Sequence, residues 1–352
     1  MVIPLLVVIQ VTSNKLETKH LSSLIILTMK YKILLLAILS ILLTACGDGE
    51  SALEPSLIVE DFSASLTVRP SDNQILGNLD VTTNLNDVKY EIVSQSIDDA
   101  LIIDSNTGQI SVKNSELFDI KVRDNIQAEV ELTGSDIVRI AEISINLSLP
   151  ETTIDYFKDI ALGFENGGAS EITRKWKTTM KIFIDGSPSS TLITKVQQTV
   201  DGINELATDG FSAEIVQSQS QSNCYIYFGT ASEFETLFPE SEVGTNFAIF
   251  NVWWNSDVIN EARIFIDTER PTISQQLSVV LEEITQVLGL GKDSPRFPSS
   301  IFYETPTNGG FATQYSEIDS ELIRLLYHPD MEIGLNSVAV DTKLRSILRN
   351  EW

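Results

Sequence analysis

The chain has 352 residues, with 24 Lys and Arg against 49 Asp and Glu, for a formal net charge of −25. Such a polyanion argues against nucleic acid as a partner, because phosphates would be repelled. The length fits two medium domains, and the 43% hydrophobic content is ordinary for a globular protein.

Residues 1–28 fit no signal architecture and read as a mis-called start. Residues 29–45 carry a secretory pattern: Lys30 and Lys32 form a positive region, and Ile33 to Leu43 an apolar core. That core is too short for a comfortable membrane span. The small residues of "LTAC" ahead of Cys46 resemble a bacterial lipobox. The resemblance implies a lipid on Cys46, so membrane lipid is the first expected partner. Gly47 follows the cysteine, and similarity to enterobacterial sorting implies the outer membrane. Residues 46–56 are then a lipidated tether. Cys224 lacks an intrachain partner once Cys46 is lipidated, and in the run "CYIYFG" it is expected to be a buried thiol.

Residues 57–150 hold short alternating runs about ten residues apart, the pattern of an all-β sandwich. "SNTGQ" (Ser105 to Gln109) supplies a turn between two of the strands. The stretch "YEIVSQSIDDALIIDSNTGQISVKN" resembles the centre of a cadherin repeat, through Ile102, Asp104, Thr107, Gly108 and Ile110, with Gly77 upstream. The resemblance implies calcium held between successive repeats. No Asp-rich linker closes this domain, and Asp119, Asp124 and Glu91 make no recognisable ligand set. Calcium in the cadherin-like domain and a plain spacer role both stay open.

Residues 151–170 read as a linker with a glycine pair at Gly167 and Gly168. Residues 171–352 form a second domain. A strand ends at Gly186, and a helix follows with Ile193, Val196, Val200, Ile203 and Ala207 on one face. Further strands lead to Pro271, where Thr272 and Gln275 make a capping box. Ile273, Leu277, Val280, Leu281, Ile284, Val287 and Leu288 line one face of that helix, and Gly289 stops it. A long loop runs from Lys292 to Gln314. Ser316 and Asp319 then start a helix that ends in "ELIRLLYHPD".

This order of elements resembles the zincin metallopeptidases and implies an α+β zincin-like domain with a mixed sheet. The zincin motif H-E-x-x-H-x-x-G falls on Glu282, Glu283, Gln286 and Gly289. The resemblance places Glu283 at the catalytic glutamate. Both ligand histidines are replaced, by Glu282 and Gln286, and a third ligand position falls on Lys292. More narrowly, "LEEITQVLGLGKDSPRFPSSIF" and "IDSELIRLLYHPDMEIGL" resemble the bacterial lipoproteins of domain of unknown function 2927 over residues 165–335. Its motif takes in Thr285, Gly289, Asp293, Ser294 and Tyr327, with Ser300, Ile301 and Phe302 between them. That family implies no reaction.

Three readings follow. The first is an inactive zincin-like binding domain on a cadherin-like spacer, with an envelope protein, a peptide or a glycan as partner and no cofactor of its own. Without imidazoles such a site should not keep zinc. The second is an active peptidase or glycan-cleaving hydrolase that uses Glu283 with a non-standard metal site. Neighbours on a helix point about 100° apart, however, so Glu282 and Glu283 are not expected to face one substrate. The third is an adhesive or structural surface protein in which Glu282 pairs with Lys292. His328 reads as a surface or capping residue. Of Trp253 and Trp254 in one strand, one should point in and the other out.

Overall fold

The computed structural model describes residues 54–165, 169–239, 243–305 and 308–352, with the side chains of 308 and 309 excepted. The expected start, the signal segment and Cys46 lie outside the described residues. Pro55–Trp352 forms one compact unit, and everything below concerns it.

Its first half is a sandwich of nine strands: β1 (Leu57–Val59), β2 (Phe62–Leu66), β3 (Ile75–Asn78), β4 (Val81–Thr83), β5 (Lys89–Gln95), β6 (Leu101–Ile103), β7 (Gln109–Val112), β8 (Asn125–Gly134) and β9 (Ile137–Leu147). One sheet runs β2-β9-β8-β5, another β3-β7-β6, and β1 pairs with β4. The period-two pattern produces the core directly. Ile126, Ala128, Val130 and Leu132 of β8 face inward with Ala141, Ile143, Ile145 and Leu147 of β9. The cadherin-type motif residues build the β6–β7 turn. The Asp104 carboxylate accepts the amides of Asn106 and Thr107 and the Thr107 hydroxyl. Gly108 sits at φ 70°, and a Cβ there would lie 2.8 Å from the Tyr90 ring. Asp119 accepts the amide of Lys121 two residues on, and Asp119, Asp124 and Glu91 do not gather as a ligand set among the described residues.

The expected linker begins instead with helix α1 (Glu151–Ala161). Ile154, Phe157, Ile160 and Ala161 repeat at helical spacing and are buried. The segment is short and runs straight into a glycine-containing stretch, so its periodicity is easily passed over. The second domain continues with β10 (Lys175–Trp176), β11 (Met180–Gly186), α2 (Ser190–Leu206), β12 (Ala213–Val216), β13 (Cys224–Gly229), α3 (Ala231–Leu237), β14 (Ala248–Asn255), β15 (Val258–Asp267) and α4 (Ile273–Gln286). After these come β16 (Glu304–Thr305), β17 (Asn308–Gly309), α5 (Glu317–Leu326) and α6 (Ser337–Glu351).

The sheet runs β10-β15-β13-β11-β12 with parallel pairings, and β14 lies antiparallel on β15. It is thus mixed. On α2, Leu192, Val196, Val200 and Ile203 are buried, whereas Ile193 is 44% exposed, one position off the stripe. The capping boxes at Thr272–Gln275 and Ser316–Asp319 both form. Ile273 lies in the first turn of α4 and stays exposed, while Val280, Leu281, Ile284, Val287 and Leu288 are buried. A bulge between Trp253 and Trp254 breaks the in–out alternation, and both rings are partly exposed.

The two halves share one continuous apolar cluster. Helix α6 joins them further. Lys121 donates to the Asn350 carbonyl of α6 at 3.2 Å, and the indole of Trp352, just after α6, donates to the Phe118 carbonyl; within the second domain Arg345 of α6 forms two hydrogen bonds of 2.6 Å to Glu151 of α1.

Gly289 ends α4 at φ 113°, and a Cβ there would meet the Arg174 carbonyl oxygen at 1.9 Å. Gly289→Ala should therefore cost at least about 2 kcal/mol through backbone strain, read as a lower urea midpoint with unchanged m-value. Asp267, 1% exposed, ends β15. Burial opposes its ionisation, but the amides of Arg270 and Glu269 and the Arg270 guanidinium outweigh this and hold its carboxyl below the usual range. The unfolded chain then takes up a proton at higher pH than the folded one. Stability from Asp267 is complete above the ordinary value of about 3.9 and declines as pH falls toward the lower folded value. Asp267→Asn should lower stability at pH 7 and flatten the loss of stability below about pH 4 in urea titrations.

Candidate functional site

Helix α4 carries Val279, Glu282, Glu283 and Gln286 at i, i+3, i+4 and i+7, a spacing that makes one stripe. All four line a cavity of about 230 Å³. Ala248, Ile249 and Phe250 of β14 form another wall. Asp293, Tyr303, Glu304 and Phe311 come from the long loop after α4, and Glu165 from the turn after α1. Glu282 and Glu283 thus face the same space, contrary to the sequence expectation. Both belong to one stripe, and residues of the loop after α4 line the same cavity.

Glu165, Asp293 and Glu304 each bring a carboxylate oxygen within 4.8 Å of the others. Gln286 donates to Asp293 at 3.0 Å. Burial pushes the Glu282 carboxyl up to about 8, and the charges of Glu165, Glu304 and Asp319 push in the same direction. Asp293 rises to about 11, first through burial and then through Glu165 and Glu282. Glu283 is raised well above the carboxylate range, by burial and then by Glu282. It is 7% exposed, and its Oε2 has no hydrogen-bond partner among the described residues. The cavity therefore concentrates more acidic groups than it can keep ionised on their own.

Lys292 does not pair with Glu282. Its ammonium lies 3.1 Å from Glu171, beside a neighbouring hollow that also touches Glu165, Asp293 and Glu304. The register that placed Lys292 at a ligand position was one residue from the side chain that does reach the cavity, Asp293.

Other motif residues hold the frame. Thr285 donates to the Leu281 carbonyl at 2.6 Å and lies 2.7 Å from the Tyr315 hydroxyl. The Tyr327 hydroxyl donates to the Leu288 carbonyl at 2.8 Å and accepts the Trp176 amide at 3.2 Å. The Trp176 indole donates to the Val287 carbonyl at 2.8 Å. Together these bonds satisfy the end of α4, where helical carbonyls lack partners. The Ser294 amide donates to the Phe302 carbonyl at 2.8 Å. The Tyr156 hydroxyl donates to Ser300, and Ser300 donates to the fully buried Asp319 carboxylate, which also accepts the Ile301 amide. The Ser-Ile-Phe motif therefore anchors the loop that roofs the cavity.

His328 stands away from the cavity. Its Nδ1 accepts the Asp330 amide at 3.0 Å, and its Nε2 lies 3.2 Å from Glu351. Cys224 is fully buried, and burial pushes its thiol up to about 12. Neither residue lines the cavity. A donor set of carboxylates and one amide lacks the imidazole and thiolate ligands that zinc prefers. Sequence reasoning missed Glu165, Glu304, Tyr303 and Phe311. They lie in segments read as a linker and a loop, and only the fold brings them to α4.

Similar proteins bear on the two halves differently. No curated protein matches the chain. Among solved structures, protocadherin gamma B2 extracellular cadherin domains 3–6 match 27% of the chain at 18% identity with a TM-score of 0.24, and the chain covers 22% of that protein. Mouse protocadherin-24 EC1–3 matches 28% at 19% identity with a TM-score of 0.23, and 34% of it is covered. The third cadherin domain of human protocadherin 7 matches 30% at 14% identity with a TM-score of 0.24, and 96% of it is covered. The chain thus spans about a fifth to a third of the first two. These likenesses fall on the N-terminal part. Residues 150–346 match the family described as "Protein of unknown function (DUF2927)". With more than half of its length matched, from α1 through most of α6, the chain belongs to the DUF2927 family.

Proposed function

We propose that the chain is an envelope lipoprotein, held in the outer membrane by lipid on Cys46, whose second domain binds extended peptide in a zincin-like cleft. The carrying observation is the free edge of β14. Among the described residues, β14 pairs with β15 on one side and with no strand on the other. That edge runs into the acidic cavity through Ala248, Ile249 and Phe250. An extended peptide gains backbone hydrogen bonds by adding to such an edge, while pockets beside it select side chains. Phe311, 47% exposed at the cavity, offers an apolar contact at its rim. The cadherin-like half serves as the spacer that lifts this cleft from the membrane.

A second reading, hydrolysis, is supported by one observation: a buried carboxylate oxygen of Glu283 has no partner among the described residues, and the sequence resemblance aligns that residue with the zincin catalytic glutamate. One experiment separates the two. The detergent-solubilised chain is mixed with a random decapeptide library and followed by hydrogen-exchange mass spectrometry. Bound peptide should slow exchange of the Ala248–Asn255 amides about tenfold or more without cutting any peptide bond. Unchanged exchange at millimolar peptide rules out the binding reading. Casein cleavage that disappears in Glu283→Gln would establish the hydrolase instead. The anchor is tested separately: a fatty-acid analogue should label the chain in cells and fail to label Cys46→Ala, and equal labelling removes the anchor.

A further inference from the structure

We propose that Glu165, Asp293 and Glu304, with Glu282 in the same wall, hold a hard divalent cation, calcium in preference to magnesium or zinc. This deepens the cleft reading above and rests on it only in taking the cavity as a ligand site.

The three carboxylates come from separate segments: the turn after α1, the loop after α4, and β16. Their oxygens lie within 4.8 Å of one another. Ligand oxygens around calcium sit about 2.4 Å from the ion and so can be up to about 5 Å apart, which accommodates that spread. Calcium accepts six to eight oxygens in flexible geometry, whereas magnesium demands a near-ideal octahedron about 4 Å across. Zinc lacks its preferred nitrogen and sulfur donors here.

An acidic cluster alone does not make a site, but Glu283 adds an independent sign. It is more than nine-tenths buried, lines the same cavity, and its Oε2 meets no donor among the described residues. Buried carboxylate oxygens without partners are rare and costly. A cation in the cavity brings water with it, and cation-bound water is a donor that would satisfy this oxygen. Gln286 already holds Asp293 through a 3.0 Å hydrogen bond, which fixes that ligand's position. The Lys292 ammonium, beside the neighbouring hollow, pairs with Glu171 at 3.1 Å instead. The cadherin-like half offers no comparable carboxylate group among the described residues.

The test uses the full chain in detergent after chelator treatment. Terbium, a luminescent calcium surrogate, is added alone, with the Tyr303 ring in the cavity wall as sensitiser. Calcium is then titrated against it, followed by magnesium and zinc. One displaceable terbium per chain is expected, with calcium displacing it at about tenfold or more lower concentration than magnesium. The double variant Glu165→Gln/Glu304→Gln should weaken calcium about tenfold or more with an unchanged near-ultraviolet dichroism spectrum, because both side chains reach the surface. If that variant misfolds, Asp293→Asn gives the same comparison.

The proposal is overturned by any of three results. These are no calcium-displaceable emission, equal calcium affinity in wild type and variant, or displacement by zinc or magnesium at least as effective as by calcium. None of these measurements uses peptide. Loss of cation binding with slowed β14 exchange intact would sink this inference alone. Cation binding without peptide protection would sink only the peptide reading.

Discussion

Mutual repulsion among carboxylates around one cavity is the constraint from which the rest of the second domain follows. Like charges brought together and partly dried tend to push apart or to take up protons. Here Glu282, Glu283 and Asp293 are raised while Glu165 and Glu304 stand close by. The arrangement persists because the elements carrying these groups are held from behind by bonds that do not involve the acids. Where a domain keeps such a costly cluster inside a firm frame, the cluster is a candidate for function rather than for stability.

That frame is built from two hydrogen-bonded knots. Tyr327 and Trp176 take up the last carbonyls of α4 and fix where its acidic stripe ends. Asp319 gathers Ser300, Ile301 and Ser316, and through Ser300 it reaches Tyr156 on α1. One buried carboxylate therefore sets the position of the loop that delivers Asp293 and Glu304. Asp319 can do this because every bond it accepts comes from a neutral donor at close range, so its burial is offset where that of the cavity acids is not. The contrast is chemical: Asp319 is bonded on both carboxylate oxygens, whereas Glu283 at the cavity leaves Oε2 without a partner among the described residues.

Much of this was legible in the sequence and some of it could not be. Alternation in "IQAEVEL" and "IVRIAEISINL" specified two inward-facing strands, and capping boxes at Thr272 and Ser316 located two helix starts, because both signals are local. Glu282 and Gln286 were visible one turn apart on the helix, with Glu283 beside them. Their partners were not. Glu165 and Glu304 lie 117 or more and 21 or more residues from the α4 acids, and only tertiary packing brings them together. Adjacency also misled. A rule of 100° per residue separates Glu282 from Glu283 on a bare helix, yet a cavity that wraps a stripe takes both.

The oxygen-rich lining of the cavity decides what the cleft can respond to. An imidazole site selects borderline metals and is lost when its histidines are protonated. An oxygen-lined site selects hard cations, and its affinity follows ligand charge and rigidity. Cation occupancy would also neutralise the cavity wall beside β14, and a peptide could then approach the strand edge without bringing positive charge of its own. Peptide and cation binding would in that case be linked, each ligand raising the affinity for the other by the same factor, since two ligands of one cavity share a single coupling free energy.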